Sequence, residues 1–288
     1  MDTLHILAHY LDRGPGKLVS TFRKGLNNLG IREVPFDKTD YIAALQWGDG
    51  PYHKIQKYSK KHALIGPNIW EAPSEKPDVA RYFNDFIVPS EWVKQKHLCE
   101  DLLQDKNIHV WSGGIETDIW VPSTTKKDID CLLYFKNRDN EEYQRVIEIL
   151  RNLKLSGISN ATVFEYGKYR EDEFHNAVSR SKMAVLCTNT ESQGYAYMQI
   201  LSAGVPCVVF NKSTLVSRDG STSWPATSVP YFDSRCGIIQ DEINKMAFEQ
   251  FFDLSSQFSP RDYILENHTI EISTSNYLRL LKNSTVLQ

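Results

Sequence analysis

Residues 190–194, TESQG, combine a carboxylate, two hydroxyls and a glycine just after an apolar run, MAVLCT. Glu191 falls where a strand would exit. Gly194, having no side chain, lets a ligand come close to the backbone at a helix start. The first amides of that helix, at the positive end of its dipole, would face a phosphate. Thr190 and Ser192 are also good helix caps, so a plain capping turn is the competing reading. Lys136 and Arg138 follow a second apolar run in YFKNRD. Fixed cations at a strand exit would stabilise negative charge on a ligand. A solvated basic turn competes here too. Nearer the start, Gly14, Pro15 and Gly16 read as a tight loop between a strand and a helix. GPGK invites comparison with a P-loop, but Leu11 and Leu18 stand where that motif needs a glycine and a magnesium-binding hydroxyl, which excludes it. The eight histidines show no H-E-x-x-H pattern, and Cys99, Cys131, Cys187, Cys207 and Cys236 lack paired ligand spacing. No metal and no resident cofactor are expected.

The elements that must position these residues are strands alternating with helices. LHILAHY reads as a strand. Leu18, Val19, Phe22 and Leu26 carry a helical stripe closed by Gly30, and IREVPF supplies a second strand. The connection has the helix that a parallel crossover needs. YIAALQ, HALIGP and DFIVP continue as strands. Pro89 and Ser90 start a helix, and IHVW is the last strand of this half. After the polar, proline-bearing stretch VPSTTKKDID the alternation restarts. CLLYF, ATVFEY, MAVLCT and CVVF are strands. EEYQRVIEILRNL, EDEFHNAVSRS and ESQGYAYMQILSAG are helices, the last capped by Gly204. Two successive α/β runs predict two Rossmann-like domains, with ligands beyond the carboxyl ends of the strands in the cleft between them. The expected boundaries are 1–122, 123–265, and a helical segment, 266–288, returning to the first domain.

Composition agrees with a globular chain of 288 residues, 41% hydrophobic and 24% charged. A net charge of −3 offers no basic field for nucleic acid. MDTLHILAHYLDRG lacks the layout of a secretory signal, and no run reaches the length of a membrane span. A reducing cytoplasm is therefore expected, and any membrane contact would be peripheral.

Several segments together resemble the retaining GT-B glycosyltransferases related to glycogen synthase: GPGKLVSTFRKGLNNLG, FIVPSEWVKQ, WSGGIETDIWVP, TESQGYAYMQILSAGVPCVVF and SVPYFDSRCG. The resemblance implies transfer of a hexose-like sugar from a nucleoside-diphosphate sugar to a glycan or other acceptor, with retention and without metal. It places Glu191 on the donor sugar and Gln199 on the ribose, where the family carries a second glutamate. Ser192, Gln193, Gly194 and Tyr195 fall in the same donor-binding stretch. It gives Lys136 and Arg138 to the diphosphate, although the spacing departs from the family's and leaves their individual roles open. Tyr166 and Gly167 fall near the nucleotide base, and the loop with Gly14 and Gly16 would admit the donor. Gly113 and Gly114 resemble a turn at the end of the first domain, with a simple interdomain turn as the alternative. No catalytic base is implied, because a donor phosphate oxygen takes the acceptor proton. A nucleotide-sugar epimerase and a non-catalytic sugar-binding subunit are the rival readings. A nicotinamide dehydrogenase is disfavoured, as no G-x-G-x-x-G appears.

Overall fold

The computed structural model describes residues 1–8, 13–46, 60–67, 82–99, 101–124, 126–136, 141–217 and 219–287. In chain order its elements are β1 (Thr3–Ala8), α1 (Arg13–Asn28), β2 (Arg32–Glu33), β3 (Tyr41–Gln46), β4 (His62–Ile65), β5 (Asp85–Val88), α2 (Glu91–Leu98) and β6 (Asn107–Val110). Then follow β7 (Ile129–Phe135), α3 (Glu141–Leu155), β8 (Ala161–Glu165), α4 (Glu171–Arg180), β9 (Ser181–Cys187), α5 (Tyr195–Ser202) and β10 (Cys207–Phe210). The chain closes with β11 (Thr214–Val216), β12 (Ser223–Pro225), β13 (Gly237–Gln240), α6 (Lys245–Asp253), α7 (Pro260–Asn267) and α8 (Ile270–Lys282). These make two compact units, Met1–Gly114 with His268–Gln288, and Ile115–Asn267.

The first unit holds a six-stranded parallel sheet in the order β2-β1-β3-β4-β5-β6. Ala43, Ala44, Leu64, Ile65, Phe86 and Ile87 are all buried, the continuous apolar pattern of strands covered on both faces. Leu18, Val19, Phe22 and Leu26 form the buried stripe of α1. Phe22 and Trp111 each meet the Tyr277 ring of α8 edge-on, at 4.7 and 4.8 Å between centroids. Gly25 allows α1 and α8 this contact, since a Cβ there would lie 1.9 Å from Thr274 Oγ1. Two expectations are corrected. Gly14, Pro15 and Gly16 do not form a tight loop but lie at the start of α1. Proline fits there because the first amides of a helix have no intrahelical acceptor. IREVPF yields only the two residues of β2, because Pro35 brings no ladder N–H.

The C-terminal tail is tied to this sheet through one buried carboxylate. Asp85 accepts from His109 Nε2 at 3.0 Å, Asn107 Nδ2 at 3.1 Å and the Thr285 amide at 2.7 Å. Burial pushes its pKa up, but hydrogen bonds from His109, Thr285 and Asn107 outweigh burial and hold it below the ordinary value of 3.8. A lowered folded value means the carboxylate stabilises the unit fully above the unfolded pKa, and less as pH falls through the folded one. Asp85→Ala is therefore expected to cost roughly 3 kcal/mol at neutral pH. Thermal melts of variant and wild type should converge as pH drops below that window. A gap that persists undiminished at pH 2 would contradict this account.

The second unit holds a five-stranded parallel sheet, β8-β7-β9-β10-β13, and the antiparallel ribbon β11-β12. Alternation along β7 divides its core in two. Cys131, Leu133 and Phe135 pack with Val146 and Ile149 of α3 and Phe248 and Phe251 of α6. Leu132 and Tyr134 pack with Phe174 of α4, Met198 and Leu201 of α5 and Ile264 of α7. Trp120 joins this second cluster. Cys131, Cys187 and Cys207 are buried free thiols on the strands, and burial pushes the Cys187 thiol up to about 11. Among the described residues no helix is long and apolar enough to cross a membrane.

Candidate functional site

The chain enters the second sheet at β7, crosses to β8 on one side and then to β9 on the other. Where strand order reverses in this way, the helices leave on opposite faces and a crevice opens beyond the carboxyl ends of the two strands. Lys136 is the first residue after β7, and Glu191 sits in the segment between β9 and α5. The Lys136 amide donates to the Cys187 carbonyl at 3.3 Å, joining the two strand exits.

The structure brings Lys136 and Glu191 together. The ammonium lies 2.5 Å from one Glu191 carboxylate oxygen and 2.7 Å from the other. Their side chains are 17% and 7% exposed, so this pair is largely out of water, where charge interactions are stronger than at the surface. The ammonium also sits over the Tyr166 ring, 4.4 Å from its centroid. Tyr166 itself is half-exposed, and its amide donates to the Phe135 carbonyl at 2.9 Å. Gly167 forms the turn after it. The Glu191 amide donates to Thr227 O at 2.9 Å, which anchors the segment holding the carboxylate.

Gly194 has φ 82 and precedes α5 as a residue with no side-chain cap. A capping turn made by Thr190 or Ser192 is thus not what starts this helix. The space beside Gly194 is taken by the protein itself: a Cβ there would fall 2.0 Å from the Tyr197 ring. Tyr197 is buried and its hydroxyl accepts from the Tyr231 amide at 3.0 Å. Glycine at 194 thus serves packing as well as the turn. Ser192 is exposed, Gln193 is buried, and Tyr195 begins the helix. Gln199 is only 3% exposed and donates through Nε2 to Glu171 Oε1 at 3.2 Å. Arg138 lies outside the described residues. Gly14 and Gly16 lie in α1 of the first unit, and Gly113 and Gly114 end the stretch Met1–Gly114 of that unit.

Sequence reasoning missed three members of the site. Tyr134 and Tyr169 meet edge to face, with ring centroids 6.3 Å apart. Burial, reinforced by the charges of Glu171 and Glu191, pushes the Tyr169 phenol up to about 12. Glu171 is the first residue of α4 and exposed, with its carboxylate at the positive end of that helix. A carboxylate opening the helix that follows β8 after a short turn was the available signal. Arg261 acts from behind: its guanidinium donates to the carbonyls of Ser202 at 2.7 Å, Trp120 at 2.9 Å and Thr117 at 3.1 Å. It thereby holds the carboxyl end of α5 in place. One cation, two carboxylates and three tyrosines thus gather at the carboxyl ends of β7, β8 and β9, suited to an anionic ligand rich in hydroxyl groups.

No family model matches the chain. A stretch of 66 residues is 33% identical to Poly(A) RNA polymerase protein 1 of Saccharomyces cerevisiae, covering 23% of this chain and 10% of that protein's length. Solved structures match over nearly all of it. The lipopolysaccharide outer core galactosyltransferase WaaB superposes with a TM-score of 0.58 at 10% identity, over 97% of this chain and 98% of that one. Staphylococcus aureus TarM, in complex with UDP and alpha-GlcNAc-glycerol, gives 0.57 at 17% identity over 93% of this chain, which spans 59% of that protein. Sucrose-phosphate synthase from Thermosynechococcus elongatus gives 0.51 at 10% identity, over 93% and 77%. At these identities the likeness establishes the fold, which is that of the GT-B glycosyltransferases.

Proposed function

We propose that this GT-B chain transfers a hexose-like sugar from a nucleoside-diphosphate sugar to a glycan-type acceptor, with retention of configuration. The observation that carries the reading is the Lys136–Glu191 pair at the switch point of the second sheet. In this reading the diphosphate approaches Lys136 and the amides at the start of α5, while Glu191 turns its oxygens to hydroxyls of the donor sugar. Tyr166, with Gly167 in the turn beside it, lies next to the nucleoside. The bond from the sugar's anomeric carbon to the diphosphate oxygen breaks, and a bond to the acceptor oxygen forms on the same face. The acceptor proton passes to the departing diphosphate oxygen, so no side chain serves as base. Lys136 stabilises the charge that collects there. Retention is favoured by the resemblance of the sequence to the enzymes related to glycogen synthase.

A panel of nucleotide sugars, offered with and without glycan acceptors and followed by mass spectrometry, tests the proposal. The expected result is acceptor-dependent release of nucleoside diphosphate by wild type, and loss of that turnover in Glu191→Ala. Sugar isomers formed without any acceptor would identify an epimerase instead. Nucleotide binding with no turnover for any acceptor would identify a binding subunit. Equal turnover by wild type and Glu191→Ala would remove Glu191 from the site.

A further inference from the structure

The ribbon β11-β12 leaves the second sheet after β10 and returns just before residues 227–229. One side chain fastens its two ends together. Asn211, the first residue after β10, accepts at Oδ1 from the Thr227 hydroxyl at 3.0 Å and from the Ser228 amide at 2.8 Å. Thr227 Oγ1 accepts in turn from the Val229 amide at 3.2 Å. Ser228 is fully buried; its hydroxyl accepts from the Lys212 amide at 2.9 Å and donates to the Thr188 carbonyl at 3.2 Å. Residues 227–229 are thus fixed between the exits of β9 and β10. What they hold in turn belongs to the site, since Thr227 O takes the Glu191 amide at 2.9 Å. Asn211 therefore reaches Glu191 through a single intervening residue, bonded at its hydroxyl on one side and at its carbonyl on the other.

Resting on the proposed function, we infer that Asn211 is a positioning residue for sugar transfer: it sets Thr227, and Thr227 sets the backbone that carries the Glu191 carboxylate. Lys136 holds that carboxylate from its other end until the diphosphate takes the ammonium. From then on the bond to Thr227 keeps the oxygens aimed, and a misplacement of about 1 Å in such a group costs up to about 10²-fold in rate. Asn211 acts through Thr227 and not on the donor, so donor affinity is spared and turnover is not.

Amide hydrogen exchange followed by mass spectrometry, beside steady-state kinetics with the nucleotide sugar and acceptor that wild type turns over, tests this on the full chain. Asn211→Leu removes the acceptor, Asn211→Asp supplies one of the same shape, and Thr227→Val removes the hydroxyl from a side chain of the same outline. Asn211→Leu is expected to speed exchange in residues 189–195 and 226–229 while β7 and β8 exchange as in wild type. It should lower kcat about tenfold with the donor KM within about twofold of wild type. Thr227→Val should lower kcat by roughly threefold, and it decides the matter if Asn211→Leu fails to fold. Asn211→Asp should return exchange and kcat to within about twofold of wild type, because its carboxylate accepts the same two bonds. A merely structural role would loosen the whole second unit evenly and leave kcat per folded molecule unchanged. Even loosening, unchanged exchange around Glu191, or an unchanged kcat overturns the inference and leaves the proposed function standing. If wild type turns over no nucleotide sugar, both fall.

Discussion

Replacing Lys136 by methionine is expected to lower kcat for sugar transfer by about 10²–10³, the usual loss when one stabiliser of a developing anion is removed from a largely dry site. Methionine is one atom shorter and uncharged, so the change removes the ammonium, with its contact over the Tyr166 ring, and keeps most of the apolar stem. A second consequence follows from burial. Without that ammonium, the buried Glu191 carboxylate loses the cation that balances it. Breaking a buried pair from one side costs about 3–5 kcal/mol, and the partial exposure of Lys136 puts the expected loss near the lower end. The double variant Lys136→Met with Glu191→Gln removes both charges. It should recover most of the stability and none of the activity. Steady-state kinetics beside thermal melts of the three proteins separate the two effects, and recovered turnover in the double variant would show that the pair is structural only.

Gly237→Ala is expected to be the most damaging single methyl in the second unit. Gly237 pairs directly with Cys207 at the start of β13, with φ at 134. A Cβ built there would lie 1.9 Å from the Cys207 carbonyl oxygen, a backbone atom of a central strand that cannot move aside. Left-handed strain of about 1–3 kcal/mol and overpacking of about 1–3 kcal/mol combine to roughly 4 kcal/mol. In a domain of this size that lowers Tm by roughly 10 °C. Gly157→Ala is the matched control. It also has a positive φ, 81, but nothing lies within 4 Å of the new Cβ, so about 1 kcal/mol is expected. Equal melts for the two variants would show that the approach to Cys207 is not what requires glycine.

The sheets were legible because parallel strands buried on both faces are written as unbroken apolar runs. MAVLCT and CVVF became β9 and β10, and YIAALQ became β3, within a residue or two. The start of α1 was not, since GPG reads as a turn wherever its neighbours are ignored, yet proline is tolerated in the opening turn of a helix. In the site, strand exits were the readable part. Lys136 and Glu191 were both placed by the rule that ligands gather at carboxyl ends, and the structure joins them. Pairings between elements were not readable. Nothing in EDEFH or YMQIL says that Gln199 is bonded to Glu171, because a helix pattern reports which face is buried and not which polar group it meets. Packing at Gly194 was unreadable for a related reason: the sequence does not say that a Cβ there would meet the Tyr197 ring.

The most direct test of the central claim is a crystal structure of the chain soaked with UDP, ADP or GDP. The diphosphate should lie at the carboxyl ends of β7 and β9, with an oxygen about 3 Å from Lys136 Nζ and the Lys136–Glu191 contact opened to admit it. Ordered nucleotide bound away from that switch point, with the pair still closed, would contradict the account.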